Sequence, residues 1–300
     1  MKNSSKILIC ALATILFLSC DKDDSNSSSA KLIFKFKFDK TQERLDNFGN
    51  PSTIPPNHRA QSPDFNEMAA HYIELTTNPY TPLGQGTIIY NSPKMSNGAF
   101  IFNELAKSGE GEVFFEIPLN DIAAGNYTWI RVSLAYQNYD IQFRINPSNE
   151  IPITEPMDLT ATVASFIGTK TYIENFLIKT EEISVYGDKN QGYWALETSF
   201  LGNTNTTEGQ APEGSTTVPN PLHGSSPLPP NSCVVTGPFS QPLVITGNET
   251  KDIVVTVSVS VNNSFEWEEM DNNDYYEPLD GDMPVDMGVR GIIPYVQYMQ

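Results

Sequence analysis

The sequence predicts an all-β fold: an antiparallel β-sandwich, immunoglobulin-like or related, with long proline-rich loops. Three observations predict it. First, two segments alternate with a period of two. Leu32, Phe34, Phe36 and Phe38 alternate with Lys31, Ile33, Lys35 and Lys37. Ile253, Val255, Val257, Val259 and Val261 alternate with Asp252, Thr256, Ser258 and Ser260, Val254 alone breaking the polar side. That period puts one face of each strand into a core. Second, short runs rich in β-branched and aromatic residues recur at the spacing of a sandwich, bounded by Gly, Pro and Asn. Third, helical periodicity is nearly absent; residues 119–124 could form a turn at most.

Taken in order, the stretch after the first strand, from Asn47 through Pro51, Pro55, Pro56 and Pro63, reads as too broken for regular structure. Strands are expected at 71–76, 86–90, 112–117, 127–136 and 139–145, with Ala124-Gly125-Asn126 as a turn before the fourth. In 127–136, Thr128, Ile130, Val132 and Leu134 face one way and Arg131 and Ser133 the other. After Pro147, Pro152 and Pro156, further strands are expected at 160–167, 171–178, 183–186 and 193–198. Residues 202–232 hold six prolines and many Thr, Ser and Gly, and read as a long loop. A strand from Cys233 and the 252–261 strand follow. The division expected is 1–19 removed, 20–30 a polar tether, and 31–300 one β-sandwich domain carrying the 202–232 loop. A separate domain beginning at 233 would have only three or four strands and open edges.

The first thirty residues read as an address. Lys2 and Lys6 flank a short polar start, residues 7–18 are apolar apart from Thr14, and Ser19-Cys20 closes the run. These are the parts of a secretory signal, and the run is shorter than the roughly 20 residues that span a bilayer. Leu16-Phe17-Leu18-Ser19-Cys20 resembles a lipobox, with Phe17 where that motif prefers Leu. The resemblance implies cleavage before Cys20 and lipid on its sulfur. Two or three acyl chains there would hold the chain to a membrane, since each buried CH₂ contributes about 0.8 kcal/mol. Asp21 directly after the cysteine resembles a retention signal for the inner membrane. Lys22-Asp23-Asp24 resembles the surface-export signal of Bacteroidota lipoproteins. The localisation expected is the outer membrane and cell surface, the alternative a periplasm-facing anchor.

Composition limits the partners. The chain has 300 residues with 18 basic and 36 acidic side chains, a formal charge of −18. Loss of Lys2 and Lys6 with residues 1–19 leaves 16 basic against 36 acidic, or −20. Such a chain is repelled by phosphate backbones, so nucleic acid is not an expected partner. With Cys10 in the signal and Cys20 lipidated, Cys233 has no internal disulfide partner; it reads as a buried thiol.

Catalytic signatures are missing: no His-Glu-x-x-His, Gly-x-Ser-x-Gly, Cys-x-x-Cys or phosphate-cradling loop occurs. The local pattern with chemical content is acidic. Counting Glu269 as position one, Asp271 is three, Asn273 five, Tyr275 seven through its carbonyl, Glu277 nine and Asp280 twelve. These are the offsets of a calcium loop, in which alternating backbone points successive oxygens at one centre. Asp274 stands where Gly is usual and Asp280 where Glu is usual, and the flanks read as strands; the competing reading is a solvated acidic hairpin. Tyr136, Tyr139, Tyr193, Trp194, Trp129, Tyr275 and Tyr276 could offer ring platforms for a sugar, or belong to the core. His58, His71, Met68, Met95 and Cys233 could make a soft-metal site, without any ligand spacing to support it.

Taken whole, the lipobox, Lys22-Asp23-Asp24 and the β-rich body resemble flavobacterial-type surface lipoproteins of unassigned function. His71-Tyr72-Ile73-Glu74-Leu75 and Ala124-Gly125-Asn126-Tyr127 leading into Val132-Ser133-Leu134 resemble the methanobactin-associated copper-binding β-sandwich proteins. That likeness implies the fold; copper would need ligands that the sequence does not display. The function expected is a lipid-anchored, non-enzymatic binding module for an extracellular ligand, protein or glycan, with calcium as a structural ion. The alternatives are a glycan-directed hydrolase using paired carboxylates and a copper-type metal-handling protein.

Overall fold

The structure is a computed structural model and describes residues 29–46, 49–148, 151, 153–211, 232–289 and 291–299. It is built almost wholly of strands, with two 3₁₀ turns, Phe102–Glu104 and Leu119–Asp121. The second of these is the helical turn that the sequence allowed at 119–124.

The strands in chain order are β1 (Lys31–Asp39), β2 (His58–Gln61), β3 (Asp64–Thr76), β4 (Thr87–Asn91), β5 (Phe100–Ile101), β6 (Ala106–Ser108) and β7 (Val113–Pro118). They continue with β8 (Gly125–Ile145), β9 (Met157–Phe166), β10 (Thr171–Leu177), β11 (Glu182–Lys189), β12 (Tyr193–Phe200) and β13 (Asn203–Gln210). The last are β14 (Cys233–Ile245), β15 (Ile253–Ser260), β16 (Phe265–Glu268), β17 (Met283–Asp286) and β18 (Ile292–Tyr298).

A four-stranded sheet in the order β18-β15-β1-β7 faces a larger sheet in the order β13-β12-β9-β8-β3-β4. In the larger sheet β14 also pairs with β8, and β6 with β3. Between them lies the main core. The alternating rows of β1 (Leu32, Phe34, Phe36) and β15 (Val255, Val257, Val259) meet Ile73 and Leu75 of β3, Ile130, Val132 and Leu134 of β8, and Val235 of β14. The other face of β8 and β9 is covered by a small sheet, β11-β10-β5, over Tyr72, Ala135, Tyr136, Phe166, Phe176 and Tyr193. A fourth sheet, β17-β16-β2, closes a smaller core of Tyr139, Ile141, Val163, Phe265 and Trp267.

Several expectations are corrected. Residues 58–61, read as broken, form β2 against β16. The segments 127–136 and 139–145 are one 21-residue strand, β8, because its polar centre at Gln137 and Asn138 is buried and paired on both edges. Gly125 opens that strand instead of turning. Residues 203–210, assigned to the long loop, are β13, paired along its whole length with β12; residues 212–231 lie outside the described residues. Most pairings are antiparallel, as expected, but β1 runs parallel to β15, and β5 to β10.

Candidate ligand-binding cleft

The larger sheet is wider than the sheet that covers it. The four-stranded sheet packs on β3, β14 and residues 130–134 of β8. Farther along, the remainder of β8 with β9 and β12 turns an apolar face toward β16, β17 and the 276–288 segment, and the space between them stays open. The result is a cleft of about 930 Å³, within the range of about 300–1,000 Å³ typical of small-molecule sites.

Strand alternation builds its floor. In β12, Tyr193, Ala195 and Glu197 are buried toward the small sheet, which leaves Trp194, Leu196 and Thr198 half-buried on the cleft side. β9 presents Ala161, Val163 and Ser165, and β8 presents Ile141 and Phe143. The Trp194 ring packs against Gly209 of β13, where a Cβ would come within 2.7 Å of it. The opposite wall is Phe265, Tyr276, Pro278, Leu279, Met283, Pro284, Val285 and Met287. Leu279 and Met283 are 64% and 62% exposed. Side chains that large and apolar on a rim are the kind of exposed patch that marks a binding surface. Gln210, Ala211 and Cys233 also line the cleft.

Among the described lining residues charge is of one sign. Asp282 and Asp286 line the cleft, and the described lining residues include no Lys, Arg or His. Asp282 is buried and tied down, accepting the backbone N–H of Met270 at 3.0 Å on one oxygen and of Glu277 at 2.8 Å on the other. Asp286 is exposed and accepts the N–H of Gly288 at 3.0 Å.

The acidic segment singled out in the sequence adjoins this wall, as the connection between β16 and β17. Asn273 Nδ2 donates to Asp271 Oδ2 at 2.7 Å and to Glu277 Oε2 at 2.5 Å. Asn146 Nδ2 donates to Glu277 Oε1 at 2.8 Å and to Asp280 Oδ2 at 2.9 Å. The backbone N–H of Asn273 reaches Glu269 Oε1 at 3.5 Å, while Glu269 Oε2 is buried without a hydrogen-bond partner. Asp271, Asn273, Glu277 and Asp280 are thus joined through amide donors. The Tyr275 ring packs under the Arg144 guanidinium, 3.2 Å from its centroid. The acids folded into the loop are Glu277 and Asp282, the second two residues beyond Asp280. Among the described residues, no three His, Cys, Asp or Glu side chains form a group able to hold a metal ion.

The remaining expectations fall as follows. Cys20, Lys22, Asp23 and Asp24 lie outside the described residues. Tyr136, Tyr139 and Tyr193 are core, each at most 2% exposed, and are not platforms. Trp194 and Tyr276 line the cleft. Met68 and Cys233 belong to the main core, and Met95 is exposed. His71 is fully buried against the Phe100 ring, 4.1 Å between centroids, and His58 contacts Glu266 at 3.2 Å.

A second, polar hollow of about 440 Å³ lies on the other side of the large sheet, lined by Asn66, Glu67, Lys107, Asn138, Asn175 and Lys179 among others. Asn66 donates to Asn138 and Asp140, and Lys179 pairs with Asp140 at 2.6 Å, so its charges are largely matched. Compared with protein families, curated proteins and solved structures, the chain matches none.

Proposed function

We propose that this chain is a lipid-anchored extracytoplasmic binding module, without catalytic activity, whose ligand is apolar and lies in the cleft over β8, β9 and β12. The observation that carries this reading is the cleft itself, an apolar sheet face left uncovered beside a rim of exposed Leu279 and Met283. Covering such a face contributes about 25 cal/mol per Å² of apolar surface removed from water. The hydrolase alternative has less support here. It needs two carboxylates free to act on either side of a bond, and both oxygens of Asp282 are already committed to backbone N–H groups. Copper handling would need converging soft ligands; Met68 lies in the main core, the His71 ring packs on Phe100, and Met95 is exposed.

The anchor follows from the lipobox resemblance at Cys20, and surface display from Lys22-Asp23-Asp24. Calcium is proposed as a structural ion of the 269–282 loop, which forms part of the cleft wall.

The test uses the chain with Cys20→Ala, which cannot carry lipid, titrated with the neutral apolar fluorophore N-phenyl-1-naphthylamine. Saturable enhancement is expected, weakened about tenfold or more by Leu196→Gln, since burying a leucine is worth about 1.5–3 kcal/mol. Enhancement that never saturates, or that Leu196→Gln leaves unchanged while circular dichroism shows a native fold, would remove the cleft as the site. In cells, Cys20→Ala should move the protein from the membrane to the soluble fraction. Replacing Lys22, Asp23 and Asp24 with alanine should protect it from added protease.

A further inference from the structure

We infer that the cleft reads a hydroxyl group: its ligand is an apolar molecule that enters hydroxyl first and is held at the buried end by Ser165 and Gln137. This inference rests on the cleft being the binding site, and adds which class of apolar molecule enters it.

One row across the sheet breaks the apolar floor. Register places Gln137 of β8, Ser165 of β9 and Trp194 of β12 side by side. Ser165 and Trp194 line the cleft. Gln137 shares their face, because it lies an even number of residues from Ile141 and Phe143 on an unbroken ladder. It is wholly buried, and its amide nitrogen donates to the backbone carbonyl of Met287 on the opposite wall. Its Oε1 is buried with no hydrogen-bond partner. Ser165 is 3% exposed, and its hydroxyl makes no hydrogen bond among the described residues. The neighbouring Trp194 indole reaches the other way, over Gly209 of β13, and so leaves that hydroxyl uncovered on the floor.

An unmatched buried acceptor costs free energy that a bound donor recovers. Directly opposed residues of neighbouring strands hold their Cβ atoms about 4.5–5.5 Å apart. Ser165 and Gln137 therefore stand close enough to share one ligand oxygen, yet they do not bond to each other. A hydroxyl is the group that serves both. It accepts from the Ser165 hydroxyl and donates to Gln137 Oε1, which a small turn of the Met287-bound amide brings to it. A carbonyl or an ether satisfies Ser165 alone, and a hydrocarbon neither. The body of the ligand then lies on Ile141, Val163 and Leu196. A purely apolar surface has the opposite preference, since a hydroxyl without partners loses its water on entry. The sign of the preference thus separates a hydroxyl that is read from one that is merely tolerated.

The experiment displaces bound N-phenyl-1-naphthylamine from the Cys20→Ala chain at pH 7 with naphthalene, 2-naphthol and 2-methoxynaphthalene. The three share one ring system, and the naphthol, a phenol, keeps its proton at that pH. With each hydrogen bond contributing about two- to tenfold, 2-naphthol should displace the probe at the lowest concentration of the three. Ser165→Ala removes the donor and adds no bulk; it should bring 2-naphthol level with naphthalene or behind it, while naphthalene changes by less than about twofold. Gln137→Met should erase the lead of 2-naphthol over its methyl ether and keep part of its lead over naphthalene. If that variant does not fold, the naphthol and its ether on the natural side chains still test the acceptor. Naphthalene level or ahead on the unsubstituted cleft would overturn the inference and leave a general apolar site. A naphthol lead that survives Ser165→Ala, with native circular dichroism, would also overturn it. Absence of saturable binding, both of the probe and of 2-naphthol followed by its own fluorescence, would instead remove the cleft as a site and this inference with it.

Discussion

His71 and the Glu74–Arg131 pair are polar groups held inside the large sheet, and each ties stability to a measurable quantity. His71 is fully buried, shares a hydrogen bond with Ser133 at 3.1 Å and packs tilted against Phe100. Burial, with a smaller contribution from Lys94, lowers its pKa from 6.5 to about 3. The native state therefore keeps the ring neutral while the unfolded chain takes up a proton below about pH 6.5, so stability falls as pH falls through that window. Relative to His71→Leu, the natural chain should lose roughly 1.4 kcal/mol per pH unit between pH 6 and 4. Urea titrations of both proteins measure it, and parallel pH profiles would show that the ring protonates without cost. Glu74 and Arg131 are both wholly buried at 3.5 Å. Glu74 Oε1 also accepts the N–H groups of Gly84 and Gly86, holding the loop before β4. Arg131→Met should leave that carboxylate buried without its cation and cost about 3–5 kcal/mol. Adding Glu74→Met should recover part of the loss, not all, because the two glycine N–H groups then lack their acceptor. A double variant no more stable than Arg131→Met would mean the pair is not coupled. The sequence placed His71, Glu74 and Arg131 in strands, yet nothing local marked them as buried partners, because Glu74 and Arg131 meet only when β3 pairs with β8.

At the level of elements, legibility followed the chemistry of each strand. β1 and β15 were plain because one face is entirely apolar and the other largely polar. β13 was not, because every residue from Asn203 to Glu208 is exposed; its order comes from the ladder with β12, not from any side-chain pattern. β12 carried an unread signal: Tyr193 and Ala195 on one face with Trp194 and Leu196 on the other make a strand apolar on both sides, and such a strand is covered twice. Its second cover is the incomplete one that leaves the cleft. The 269–282 loop was half legible. Its flanks are strands as expected, and of its acids the fold buries Glu277, which the spacing included, and Asp282, which it did not, while Asp280 stays exposed. For calcium to enter, the Asn273 amide must leave the gap between Asp271 and Glu277. Millimolar calcium after chelation should raise the melting midpoint by roughly 5–10 °C, as expected for a site filled to about 100 times its dissociation constant. Asp271→Ala should abolish the rise. An unchanged midpoint, or an equal rise in the variant, would leave the loop held by its amides and backbone alone.

At the scale of the whole molecule, the chain folds back on its own beginning. β1 lies in the middle of its sheet, antiparallel to β7 on one edge and parallel to β15 on the other, with Leu32 opposite Ile253 and Asp39 opposite Ser260. β14 occupies the same edge of β8 as β9, end to end, and Gly237 passes so close to Ile292 of β18 that a Cβ would come within 2.5 Å of its carbonyl oxygen. Residues 232–299 thus supply a central strand, one outer strand of the covering sheet, and much of the main core, including Val235, Leu243, Val255, Val257, Val259 and Ile292. Without them, β1 would show Phe34 and Phe36 to water, and β8 would lose its partner over residues 125–134. A large exposed apolar face with unpaired ladder groups is not a stable end point. A chain ending at residue 211 should therefore be unfolded or aggregated, lacking the cooperative urea transition and sheet circular dichroism of the full chain. Supplying residues 232–299 as a second polypeptide should restore both in proportion to its concentration. A cooperative transition in the truncated chain alone would instead show that residues 31–211 hold a core of their own, and would place a domain boundary at the segment joining β13 to β14.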